Sequence, residues 1–200
     1  MPDAVTVLKR LEAMRQKLEH RHDECVGKLA LELALAMGIE EARATAIGAA
    51  AELHDIGKMA IPDAVLRSPS QLSDPEFELM KMHTNFGYEL LANDGDPAWV
   101  LAASIARSHH EHVDGTGYPD GLAGDQIPTE ARLVAIADVY AALREQRGYK
   151  PSIPHDQALR IIRDGDGRTK PEHFDPDVLR NFVAAEARIS RVYSKLCAAP

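Results

Sequence analysis

The sequence predicts an all-α protein, and three observations carry that expectation: apolar residues recur every three or four positions along most of the chain, one long run is rich in alanine, and no stretch alternates convincingly as a strand. Each element follows in order. Residues 4–20 place Val5, Leu8, Leu11, Met14 and Leu18 at helical spacing. This first helix reads as a packing, dimerisation or linker element (residues 1–20) ahead of one domain (residues 21–200). Residues 22–37 continue as helix, with Val26, Leu29, Leu33 and Ala36 on one face and Gly38 as the stop. Residues 40–56 form the alanine-rich helix, whose small side chains let neighbouring helices approach closely.

A short helix begins near Ile61-Pro62-Asp63, and Ser73-Asp74-Pro75-Glu76 combines a capping residue, a proline and an acid to start a helix over 75–92. Asp96-Pro97 starts another, running to His110. The style then changes. From Asp114 to Asp125 the glycines and Pro119 rule out regular helix and predict a long structured loop. Helix resumes over 129–145 with Thr129 as its cap, and two last helices are expected over 155–163 and 177–196.

Composition bounds the function. Two hundred residues fit one ordinary domain with a core of its own. The two cysteines, Cys25 and Cys197, are far apart in sequence and lack metal-ribbon spacing, so neither a disulfide framework nor a zinc ribbon is expected. The apolar runs are too short to span a bilayer and no secretion signal opens the chain, which points to the cytoplasm. A formal net charge of -8 argues against DNA binding through a general basic face. An anionic ligand would need a local positive site, and bound metal ions are one way to supply it.

The candidate chemistry starts at His54-Asp55-Ile56-Gly57-Lys58. An imidazole and a carboxylate are a usable ligand pair for a first-row metal, and a carboxylate can bridge two ions. A lone histidine is more often a satisfied core or surface residue, so the argument rests on the set. His22, His83, the tandem His109-His110 and Asp138, an acid inside an apolar helical run, add nitrogen and oxygen donors from other helices. Seven such donors predict two divalent metals, suited to iron or manganese. His20, His112 and His155 read as surface or loop residues.

With those residues in view, the chain resembles the HD-GYP family, the branch of HD phosphohydrolases that hydrolyses cyclic di-GMP. The resemblance is carried by His54-Asp55-Ile56-Gly57-Lys58, Ile61-Pro62-Asp63, His83-Thr84 with Gly87, His109-His110-Glu111, the loop from Asp114 to Leu122 with Gly117-Tyr118-Pro119, Ile136-Ala137-Asp138-Val139-Tyr140, and Phe174-Asp175-Pro176. It implies a helical HD-domain bundle. It also implies that His22, His54, Asp55 and Asp138 hold one metal with Asp55 bridging, and that His83, His109 and His110 hold the second, iron first and manganese as the alternative. Lys58, Arg147 and Lys150 match phosphate-contacting positions. Tyr118 lies in the loop that supports the substrate pocket, and the same loop is implicated in binding a GGDEF-type diguanylate cyclase. A homodimer is a further expectation.

Four positions depart from the family pattern: Cys25 replaces an arginine, Ser68 a lysine, Ala141 an aspartate, and Gly148 a proline. Leu18 stands where a third-metal glutamate occurs in part of the family, which favours two metals. None of the four is an expected ligand; Ala141 bears most on turnover. The expected reaction is hydrolysis of cyclic di-GMP to linear pGpG, and onward to GMP, with His54, Asp55 and Lys58 at its centre. Two alternatives stay open: a metal-loaded but weak module that binds cyclic di-GMP or a cyclase, and a phosphodiesterase for another cyclic dinucleotide.

Overall fold

Ten α-helices are found among the residues that the computed structural model describes, 20–92, 95–145 and 152–197. They are α1 (His20–Ala36), α2 (Glu41–Ala51), α3 (Asp63–Leu66), α4 (Asp74–Lys81), α5 (His83–Leu91), α6 (Pro97–Ser108), α7 (Thr129–Arg144), α8 (His155–Asp164), α9 (Pro176–Ala184) and α10 (Glu186–Val192). No strand is present among the described residues; a single antiparallel bridge, Asp114 to Ala123, closes the base of the glycine-rich loop. The all-α expectation therefore holds. Residues 4–19 of the expected first helix lie outside the described residues, as do Arg147, Gly148 and Lys150.

Helix α1 is the centre of the core. Its Val26, Leu29, Ala30, Leu33 and Ala34 are buried, and it packs against α2 and α7. The crossing with α2 is made by backbone: a Cβ on Gly27 would lie 2.7 Å from the Gly48 carbonyl oxygen, and one on Gly48 would lie 2.9 Å from the Gly27 carbonyl oxygen. On the far side, Tyr140 of α7 packs edge-on against Phe182 and Tyr193, with centroids 5.5 and 5.7 Å away.

Three expected helices are interrupted, and in two cases the cause is visible. The helix over 40–56 ends at Ala51, after which Leu53, His54, Ile56 and Lys58 donate their N–H groups to carbonyls three residues back. The Ala51 carbonyl is taken by both the His54 N–H and the His54 Nδ1–H, at 3.1 and 2.9 Å, so it no longer supports another α-helical turn. The helix over 75–92 breaks at Met82 for the same reason, since His83 Nδ1 takes the Met80 carbonyl and Thr84 Oγ1 the Lys81 carbonyl. The last helix breaks at Ala185 and finishes in a π turn, Tyr193–Cys197, while the apolar spacing of Phe182, Ile189 and Tyr193 runs through the break and hides it.

Two local expectations are corrected. Thr129 does not cap α7: Pro128 holds that position, and the Thr129 hydroxyl accepts from Arg132. Cys25 is disulfide-bonded, although the wide sequence separation of the cysteines argued against a disulfide framework, because distance in sequence says little about distance between packed helices.

The HD turn reaches the α5 histidine through glycine. A Cβ on Gly57 would sit 1.9 Å from the His83 carbonyl oxygen and 2.4 Å from the Gly87 nitrogen, both backbone atoms. Gly57→Ala is expected to cost about 3 kcal/mol or more in chemical unfolding, whereas Gly124→Ala, at φ +53 with nothing within 4 Å, costs only about 1 kcal/mol. A second expectation concerns acid. Asp175 caps α9 through the Asp177 and Val178 N–H groups and pairs with Arg132. Burial alone would raise its carboxyl pKa, but those hydrogen bonds and the guanidinium hold it below the ordinary value. The native pKa being the lower one, this stabilisation is complete above pH ~4 and lost as pH falls further. Asp175→Ala should remove about 1 kcal/mol at neutral pH and flatten the stability-pH curve at its acid end.

Candidate metal centre

Three histidines arrive at the site by one local device. His54, His83 and His109 each stand at or just beyond the C-terminal end of a helical segment and turn Nδ1 onto the carbonyl three residues earlier: Ala51 at 2.9 Å, Met80 at 2.8 Å and Ala106 at 3.0 Å. A carbonyl can only accept, so Nδ1 carries the proton in each. The Nε2 lone pair is thereby aimed into the interior, the arrangement of a metal-ligating imidazole with its other nitrogen anchored.

These lone pairs converge. His83 Nε2 and His109 Nε2 lie 3.4 Å apart, and each faces Asp55 Oδ1, at 3.2 and 3.7 Å. On the other side His54 Nε2 is 3.3 Å from Asp55 Oδ2 and 3.9 Å from Asp138 Oδ1, and His22 Nε2 is 3.0 Å from Asp138 Oδ1. Among the described residues, two groups have ligand atoms within 4.8 Å of one another: Asp55, His83, His109 and His110, and His22, Asp23, His54 and Asp55. Asp55 belongs to both, as a bridging carboxylate must.

The donors fit divalent ions on the structure's own terms. Two imidazole lone pairs facing each other repel unless a cation lies between them. His54 Nε2 and Asp55 Oδ1 are buried and lack hydrogen-bond partners, which is costly without a ligand. Charge agrees. Burial opposes protonation of His54, yet Asp55, Asp138 and Asp23 outweigh it and push its pKa up to about 10, so the field that would retain a proton there equally attracts a metal cation. Burial and neighbouring imidazoles hold His109 and His110 below the ordinary histidine value, as neutral donors. Burial disfavours charge on Asp55 and Asp138, but Lys58 and His54 hold Asp55 ionised, and His22 and His54 do so for Asp138.

All seven sequence-predicted ligands are therefore gathered at one place by α1, the HD turn, α5, the end of α6 and α7. Lys58 is there as well, but its Nζ lies 2.6 Å from Asp55 Oδ2, on the shared carboxylate. Tyr118 stacks against His110 at a centroid distance of 4.8 Å, and Lys81 lies 5.5 Å from the Tyr118 ring centre. Ala141 is buried in the core on the same helix as Asp138. Two residues read as surface groups have partners: His155 Nδ1 meets the Tyr140 hydroxyl at 3.0 Å, and His112 stacks on His173 at 3.8 Å.

Sequence reasoning overlooked several groups here. Asp23 is buried next to His22, and Glu145 Oε2 lies 3.5 Å from His22 Nδ1. The loop is held from beneath by the buried Glu111 carboxylate, which accepts from Asp120 N–H at 2.7 Å and Leu122 N–H at 2.9 Å. Arg107 grips the Asp120 side chain with two nitrogens, at 2.7 and 2.8 Å. Gly117 is required beneath Tyr118, since its Cβ would lie 2.3 Å from the His112 nitrogen. The only available signals were Glu111 directly after two ligands and an acid inside the helical segment after His22.

Comparison with known proteins identifies the family. The model of the HD domain family matches residues 6–178. A cyclic di-GMP phosphodiesterase of Thermotoga maritima is 39% identical over 96% of this chain and 51% of its own. A 3'3'-cGAMP-specific phosphodiesterase of Vibrio cholerae is 39% identical over 78% of this chain and 31% of its own. The chain thus spans about half or less of the length of these relatives. The fold is shared with the HD domain of the Listeria monocytogenes phosphodiesterase PgpH in complex with cyclic-di-AMP, at a TM-score of 0.66 and 17% identity, covering 96% of this chain and 98% of that one. The chain belongs to the HD domain family, within which it carries the motif set of the HD-GYP branch.

Proposed function

We propose that this chain is a metal-dependent phosphodiesterase that hydrolyses cyclic di-GMP to linear pGpG, with Asp55 shared between two divalent ions. The observation that carries the reading is that one buried carboxylate belongs to both donor groups, while its Oδ1 and the neighbouring His54 Nε2 are buried without a hydrogen-bond partner. His22, His54, Asp55 and Asp138 would hold one ion, and Asp55, His83, His109 and His110 the other. Ions bound there supply a water of lowered pKa and a clamp for phosphoryl oxygens.

The chain's own groups do the rest. The Nδ1 anchors fix the imidazole planes before substrate arrives, so little reorganisation is needed. Lys58 brings an ammonium beside Asp55 at a partly open edge, where it can turn to a phosphoryl oxygen. Burial, with Asp55 and Asp138 nearby, raises the Tyr118 phenol above its ordinary pKa, so its hydroxyl keeps its proton and serves as a donor at the rim. The similarity to a named cyclic di-GMP phosphodiesterase supports the substrate class. The relative specific for 3'3'-cGAMP supports one competing reading, a mixed cyclic dinucleotide. A binding-only module is the other, motivated by Ala141.

Iron as the preferred metal, a cytoplasmic setting, the division at residue 20, a homodimer and a diguanylate cyclase docking at Gly117-Tyr118-Pro119 belong to the same proposal. No helix among the described residues is long and apolar enough to cross a membrane.

Protein prepared without oxygen and loaded with iron or manganese should contain two ions per chain and convert cyclic di-GMP to pGpG, followed by elemental analysis and chromatography. Asp55→Ala should lose both ions, and His54→Ala at least one, with kcat/KM down on the order of a hundredfold or more. Unchanged metal content and turnover in both would sink the assignment. Lys58→Ala should keep both ions and lose about 10²-fold in kcat. A panel of cyclic di-GMP, 3'3'-cGAMP and cyclic di-AMP should place cyclic di-GMP first; binding to loaded protein without product would favour the binding module instead.

A further inference from the structure

We propose that Asp23 is an additional ligand of the ion held by His22 and His54, and that it biases that ion towards an oxygen-preferring metal of the manganese class while the other pocket takes iron. This rests on the two-metal reading above and adds to it a residue and a selectivity.

Three observations converge on Asp23. It is only 3% exposed, on the first turn of α1 beside His22. One of its carboxylate oxygens lies within 4.8 Å of ligand atoms of His22, His54 and Asp55, the span expected of groups that surround one ion. It also does not orient His54: Asp23 Oδ1 is 3.9 Å from His54 Nδ1, beyond hydrogen-bond reach, and that nitrogen already donates to the Ala51 carbonyl at 2.9 Å.

Selectivity follows from counting donor types. With Asp23 the first pocket offers His22 and His54 nitrogens against Asp23, Asp55 and Asp138 oxygens. The second offers three imidazoles and the shared Asp55. Carboxylate-rich sites suit manganese and magnesium, and imidazole-rich sites suit iron and zinc. The two pockets would thus present different chemistry to a bound cation, although they share Asp55 as a ligand.

The test loads chelator-stripped protein, without oxygen, with equimolar Mn²⁺ and Fe²⁺, removes free metal, and measures content by elemental analysis and bound manganese by electron paramagnetic resonance. The wild type should hold about one ion of each. Asp23→Asn, matched in shape, should bind manganese at least about tenfold more weakly while keeping its iron. Asp23→Ser is carried in parallel, and circular dichroism of both apoproteins establishes that they fold. Manganese affinity within twofold of wild type in a folded variant overturns the proposal, as does a wild type holding the same metal in both pockets. A wild type that holds fewer than two ions overturns the two-metal reading and this proposal with it; a wild type with two and an unaltered Asp23→Asn overturns only the role of Asp23.

Discussion

The structure depends on the problem of presenting several imidazole Nε2 atoms to one buried carboxylate. A neutral imidazole has two nitrogens, and only one of them has a free lone pair to turn inward. The chain solves this at His54, His83 and His109 by giving Nδ1 a carbonyl at the end of a helical segment. Those carbonyls are the acceptors that helix ends leave over, so the anchor consumes groups that would otherwise need water. Asp55 then has to lie among all three, and Gly57 makes this feasible by letting the HD turn touch the α5 backbone.

Much of this was legible in the sequence. The fold class, the seven donors and the loop could be read because helical periodicity and the His-Asp motifs are local signals. The breaks at Ala51 and Met82 could not be read, since apolar spacing continues through both and the interruption is caused by ligand side chains capturing backbone carbonyls. Thr129 looked like a cap by residue type, yet Pro128 sets the start of α7.

Asp23 escaped for a different reason. Consecutive residues on a helix point about 100° apart, so a ligand at His22 argues against its neighbour. That argument holds along a helix but weakens where the site lies at the first turn, because residues on two faces can then border the same cavity. Glu111 and Arg107 were hidden likewise: their roles appear only once the loop folds back over the end of α6, placing Asp120 and Leu122 N–H groups beside a carboxylate nine and eleven residues away.

The Gly27–Gly48 crossing has a mechanical consequence. Where side chains separate two helices, a rotamer change or a lost methyl group lets them drift by fractions of an ångström. Here backbone meets backbone, and a Cβ on either glycine would collide with the other's carbonyl oxygen. The spacer has no soft degree of freedom. His22 lies five residues before Gly27 on one helix, and His54 six residues after Gly48 along the other segment. Their separation is therefore gauged from a hard stop rather than from a compressible layer, and repacking elsewhere in the core reaches the two ligands only after being attenuated at that contact.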